Sequence, residues 1–225
     1  MPRASVISLA VLCAALACGG SNAAPAASTP TNVAPTSVTT KAAPDSVTDI
    51  ADRNRVMGKA TATVWMIEVS DFQCPFCKTF HDSTYPAIKK DYVDTGKIRL
   101  AYLNLPLPMH PNAQPAAHAA MCASLQGKFW EAHDRIFDSQ DKWKGLADAR
   151  PFLDSVVVAA GADRAKLTAC TETKRLAPLI QADMDRSAQA GAQSTPMFFV
   201  GTHKILGAAP IAAFRAAIDS ALAGK

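Results

Sequence analysis

The strongest constraint on this chain is local: an apolar, partly β-branched run, Ala62 to Val69, is followed within a few residues by Cys74-Pro75-Phe76-Cys77. Such a run reads as a buried central strand, here with one carboxylate, Glu68, inside it. Asp71 to Pro75 turns the chain, and Pro75 suits a first helical turn because its missing donor would be unpaired there anyway. Phe76, Phe80, Ile88 and Tyr92 then recur at near-helical spacing, and Pro86 predicts a kink. Lys97 to Leu105, after Thr95-Gly96, is the next strand.

Between about 107 and 191 the pattern is helical. Ala113, Ala116, Ala117, Ala120 and Met121 share one face, followed by Phe129, Trp130, His133, Ile136 and Phe137. Further helices are expected from Leu146 to Ala160, from the N-cap Asp163 through Cys170, and on to Ala190. Strand signals return at Met197 to Val200 and His203 to Leu206 around a Gly201-Thr202 turn, and Pro210 opens a last helix. This order predicts an α/β sheet interrupted by a helical insertion.

The first 17 residues read as a signal peptide, with Arg3 before a stretch too short to span a bilayer. Ala15-Leu16-Ala17-Cys18 resembles the lipobox of bacterial lipoproteins, which makes Cys18 a lipidation candidate. The alternative is ordinary cleavage near Ala23 or Ala24. Residues 18–45, rich in Ala, Ser, Thr and Pro, cannot bury a core and read as a solvated tether. One domain then fits 46–225. With Arg3 and Lys41 set aside, 21 of the 23 basic residues face 19 acidic ones, and no basic stripe points to nucleic acid.

Of six cysteines, Cys13 lies in the signal and Cys18 awaits lipid, leaving four. Export implies an oxidising compartment. Four cysteines can pair in three ways; Cys74 with Cys77 as a C-x-x-C leaves Cys122 with Cys170 as a structural bridge. A second redox relay or two separate thiols are the alternatives. Two cysteines one helical turn apart suit disulfide exchange, with Cys74 exposed at the helix N-terminus as attacking thiolate and Cys77 shielded as resolving thiol. The helix end favours the anion. A Cys74 pKa near about 6 would favour the reduced form by about 1.4 kcal/mol, or about 30 mV for two electrons.

Asp71-Phe72-Gln73-Cys74-Pro75-Phe76-Cys77, Ser194-Thr195-Pro196-Met197-Phe198-Phe199-Val200-Gly201 and Gly127-Lys128-Phe129-Trp130-Glu131-Ala132-His133-Asp134 resemble the DsbA-like thiol–disulfide oxidoreductases of the thioredoxin superfamily, from about residue 60 to the C-terminus. The resemblance implies a thioredoxin fold with a helical insertion. It makes Pro196 a cis proline facing the redox pair, puts the Thr195 hydroxyl near the sulfurs, and makes Glu68 a buried carboxylate relaying protons to Cys77. Phe76 stands where the best-known members carry histidine, which implies a milder oxidant.

The expected partners are cysteine-containing exported polypeptides and, for an oxidase, a membrane partner that is DsbB-like or vitamin K epoxide reductase-like. The expected protein is monomeric, lies on the periplasmic side and needs no cofactor or metal. A reductase is the nearest alternative. A Cu(I) chaperone using Cys74, Cys77 and His81 comes from a different class. Lys78 rules out a C-x-x-C-H haem signal. His110 and His133 are expected to cap or pack helices, and Trp65, Trp130 and Trp143 to lie in the core.

Overall fold

The computed structural model describes residues 46–224. The signal, the Cys18 and tether assignments lie outside those residues. Two short elements that the sequence reading did not identify come first. Helix α1, Val47–Asn54, starts in a capping box in which the Ser46 hydroxyl accepts from Asp49 N and the Asp49 carboxylate accepts from Ser46 N. Strand β1, Val56–Met57, follows.

Strand β2, Val64–Ser70, leads into α2, Pro75–Ser83, which breaks at Thr84, just before Pro86. The chain continues as α3, Tyr85–Ile88, then a π-helical turn, Lys89–Val93, and β3, Ile98–Asn104. The helical block comprises α4 (Ala113–Ser124), α5 (Phe129–Asp138), α6 (Gln140–Trp143), α7 (Arg150–Ala159), α8 (Arg164–Glu172) and α9 (Ala177–Gln189). The hairpin β4 (Met197–Val200) and β5 (His203–Leu206) and helix α10 (Ile211–Leu222) close the fold.

The sheet order is β1-β3-β2-β4-β5, with β2 and β3 parallel and the other neighbours antiparallel. This is the thioredoxin fold with a helical insertion between β3 and β4. Alternation along β2 sends Met66, Glu68 and Ser70 to one face, where the register sets them beside Leu100, Tyr102 and Asn104 of β3. That face packs Phe80 of α2 and Phe214 of α10 against Phe198. The second core fills the block, where the small Ala116 and Ala120 of α4 let Phe129, Phe137, Trp143 and Leu153 approach closely. Trp65 departs from expectation. It points to the opposite face of β2, 36% exposed, with the Arg99 guanidinium 4.0 Å from its ring centre.

Two long-range ties hold the layers. Cys122 of α4 and Cys170 of α8 form a disulfide across 48 residues, which in the chain-entropy picture contributes about 4 kcal/mol. The second is a buried ion pair. Arg55, between α1 and β1, donates both terminal nitrogens to Asp183 of α9, Nη2 at 2.8 Å from Oδ1. Asn104 N and Nδ2 also donate to Asp183 Oδ2, at 3.2 and 2.8 Å, so α9 is fastened to β3. Without Asp183 the buried Arg55 keeps only the half-exposed Asp52, to which its Nε donates at 2.9 Å, and Asn104 loses its acceptor. Asp183→Ala should therefore lower unfolding free energy by about 3–5 kcal/mol in urea titration. Arg55→Met with Asp183→Leu should recover most of that loss, whereas a double variant no better than Asp183→Ala would assign the loss to packing.

Candidate active site

The turn between β2 and α2 is set by its own polar side chains. Asp71, its carboxylate buried, accepts from Gln73 N at 2.7 Å and Leu107 N at 2.9 Å, and His110 Nδ1 lies 2.7 Å from its Oδ2. Gln73 answers by accepting from Asn112 N at 2.6 Å and donating to Lys144 O at 2.8 Å. Gln140 Nε2 donates to Phe72 O at 2.7 Å and Cys74 O at 3.1 Å. The redox turn is thus clamped from both the sheet loop and the helical block. Sequence reasoning missed Asp71, Gln73 and Gln140 in this role. For Asp71 a signal existed, because an aspartate two residues before a backbone N–H is a turn former.

Cys74 is the N-cap of α2, in extended conformation, with Pro75 at the first helical position. Its thiol is pulled down to about 6, first by the hydrogen bond from Cys77 Sγ; burial opposes this, and the Thr195 hydroxyl and the N–H groups of Cys77 and Phe76 add to it. Cys77 moves the other way. Burial, then the Cys74 sulfur, pushes it well above the ordinary thiol range, while Ser70 and the Asp71 N–H, 3.5 Å from Sγ, favour its anion.

The expectation of an exposed Cys74 is wrong. The residue is only 3% exposed, because the loop before β4 lies over it: Cys74 Sγ donates to Thr195 O at 3.4 Å. The Thr195–Pro196 peptide is cis. The Thr195 hydroxyl is buried without a fixed partner, so it is free to turn toward a Cys74 anion. Phe76, placed on the buried face by its spacing, is instead 63% exposed. Cys77 and Phe80 occupy the ground beneath the helix.

Glu68, on β2 two residues before Ser70, is 1% exposed. Burial raises its carboxyl to about 7; the Ser70 hydroxyl and a charged His81 pull it down and Asp134 pushes it up. Around it Glu68 Oε2, Ser70 Oγ, Tyr102 OH, Tyr85 OH and His133 Nε2 are buried without a hydrogen-bond partner. His133 packs among the rings of Phe72, Tyr102, Trp130 and Phe137, and its Nδ1 is 2.8 Å from Asp134 Oδ1. Burial lowers His133. His81 is also desolvated but is raised on balance, because Asp134 and Asp82 stabilise its charge.

The sequence suggestion that His81 joins Cys74 and Cys77 around a metal is not how the side chains fall. Among the described residues the groups able to share an ion join His81 to His133 and Asp134, or to Asp82 and Asp138, and neither includes a cysteine. Cys122 and Cys170, bonded to each other in the helical block, take no part in the pair. Among the described residues no helix is long and apolar enough to cross a membrane.

Comparison with known proteins fits this geometry. A family model described as Thioredoxin matches residues 51–220. The chain is 35% identical to Na(+)/H(+) antiporter NhaA 3 of Salinispora tropica over 76% of its own length, but spans only 25% of that protein. It is 26% identical to disulfide bond formation protein D of Bacillus subtilis, covering 76% of this chain and 78% of the relative. The crystal structure of oxidised BdbD from Bacillus subtilis superposes with a TM-score of 0.69 at 24% identity, over 76% of this chain and 93% of that one. The matched span takes in the redox turn, the helical block and the proline loop together, so the chain belongs to the thioredoxin family and folds in its DsbA-like form.

Proposed function

We propose that this chain is a protein thiol–disulfide oxidoreductase that forms disulfides in exported polypeptides through Cys74 and Cys77. The observation that carries the reading is the placement of two thiols one helical turn apart, Cys74 as the N-cap of α2 beside the Thr195 carbonyl and Cys77 wholly buried, which pulls Cys74 down to about 6 and pushes Cys77 well above its ordinary range. An attacking sulfur must be anionic near neutral pH, and its partner must stay protonated until it is needed. In the oxidising direction a client thiolate attacks Cys74 of the Cys74–Cys77 disulfide, and Cys77 leaves and takes a proton. A second client thiolate then attacks the client sulfur of the mixed disulfide, and Cys74 leaves as the stabilised thiolate. Two electrons pass to the protein.

Thr195 and Pro196 shape the opening above Cys74 and present the Thr195 carbonyl to an incoming chain. Glu68 is the proton store for Cys77, since a carboxyl near 7 can both hold and release a proton at neutral pH. In this reading the protein works on the outer side of a bacterial membrane, held by lipid on Cys18. It acts as a monomer without a cofactor, and a DsbB-like or vitamin K epoxide reductase-like membrane partner reoxidises it. Relatives named as disulfide bond formation proteins support the oxidising direction.

Cys74→Ser should abolish thiol oxidation of a reduced model protein and insulin reduction alike; undiminished rates would remove the mechanism. Equilibration with glutathione should place the potential above about −200 mV, and a value near about −270 mV would reverse the proposed direction.

The buried Glu68 makes a further prediction. Its folded pKa is raised, so below the unfolded value of about 4.5 both states are protonated and it has no effect. As pH rises from there to about 7, ionisation is progressively harder in the folded state, and the full penalty persists above. Glu68→Gln should therefore leave stability nearly unchanged at pH 4 and raise it by about 2–3 kcal/mol at pH 8, read from urea midpoints. Equal effects at both pH values would contradict the assignment.

A further inference from the structure

Cys77 and Glu68 are both shut off from solvent, at 0% and 1% exposure, so a proton moving between them needs a carrier in the protein. The residue placed for this is Ser70. It follows Glu68 by two on β2 and therefore shares its face, and it is itself 1% exposed. Its main-chain oxygen accepts from Leu105 N at 2.8 Å, which fixes the backbone. The next residue, Asp71, has its N–H 3.5 Å from Cys77 Sγ, so the sulfur stands against this end of the strand. Ser70 Oγ has no fixed hydrogen-bond partner, yet it favours the charged forms of Glu68, Cys77 and Tyr102.

A hydroxyl is the one small side chain that can donate and accept at the same time. We propose that Ser70 carries the proton between Cys77 and Glu68, a role that rests on the exchange reading above. When Cys77 attacks, its S–H proton goes to Ser70 Oγ while the Ser70 proton passes to the Glu68 carboxylate. The Cys77 electron pair forms the bond to Cys74 Sγ, and the bond from Cys74 to the departing sulfur breaks, releasing that sulfur as a thiolate. When Cys77 leaves, the proton runs back by the same atoms. The groups facing Glu68 that can also bias this transfer are His81 of α2, Tyr85 of α3, Tyr102 of β3 with His133 behind it, and Asp134 of α5; β4 presents Phe198.

The test isolates the Cys77 step. Reduced protein mixed with oxidised glutathione forms a Cys74–glutathione adduct, and its decay, followed by acid quench and mass spectrometry, is the attack by Cys77. Ser70→Ala should leave adduct formation unchanged, slow decay by about tenfold or more at pH 7, and move the pH midpoint of decay upward, because the Glu68 carboxylate loses a donor. In a Glu68→Gln background the same substitution should add no further slowing. An unchanged decay profile, or an equal loss in both backgrounds, would overturn the role of Ser70. A parent protein that forms no adduct at all would overturn the exchange reading itself, and this proposal with it.

Discussion

Everything at the redox turn depends on the interaction between two sulfurs held one helical turn apart, which favours the anion on Cys74 and, with burial, disfavours it on Cys77. The helix end alone does not account for this. N–H groups at an N-cap favour an anion on Cys74, but covering the same sulfur works against it. The bond from Cys77 outweighs that burial, and it exists because Cys77 is too deeply buried to ionise first. Burial thus acts twice, opposing the Cys74 anion directly and securing its best donor. Phe76, which stands between the cysteines and points to solvent, lends nothing to the anion beyond its backbone N–H.

The same principle explains why the polar groups beneath the pair lack fixed partners. A fully satisfied network would hold Glu68 in one protonation state. Here its Oε2, Ser70 Oγ and Tyr102 OH are all unpartnered, and the carboxyl rests near 7, where neither form dominates. Groups this costly to bury persist where the fold around them is held by other means. The Arg55–Asp183–Asn104 tie, whose Asn104 stands beside Ser70, and the Cys122–Cys170 bridge supply that support.

Much of the fold was legible because its signals are local. Residues Met197 to Leu206 gave the β4–β5 hairpin with its exact ends, since a Gly-Thr turn sits between two apolar runs, and the kink expected at Pro86 is the break after Ser83, three residues earlier. Helix α1 was not recognised, although Val47, Ile50 and Ala51 fall at helical spacing behind the Ser46 and Asp49 caps, because eight residues hold the pattern for little more than two turns. What escaped altogether was sequence-distant. The cover over Cys74 comes from Thr195, 121 positions away, and the partner of Arg55 lies 128 positions off. Trp65 misled because an aromatic in a strand signals a pleated, half-buried surface, not which face it lies on.

The covered Cys74 changes how an exchange reaction must begin. The sulfur lies 3.4 Å from the Thr195 carbonyl oxygen, so a chain that approaches it along the 194–196 loop meets that backbone first. A folded protein surface seldom presents a cysteine with its flanking backbone free, whereas an extended polypeptide does so everywhere. In the proposed function, a preference for extended clients would rest on backbone geometry at this loop rather than on a pocket for a particular side chain. The exposed Phe76 beside the sulfur adds apolar area without demanding a sequence. The loop that covers Cys74 and the exposed ring beside it thus bound one approach to the sulfur.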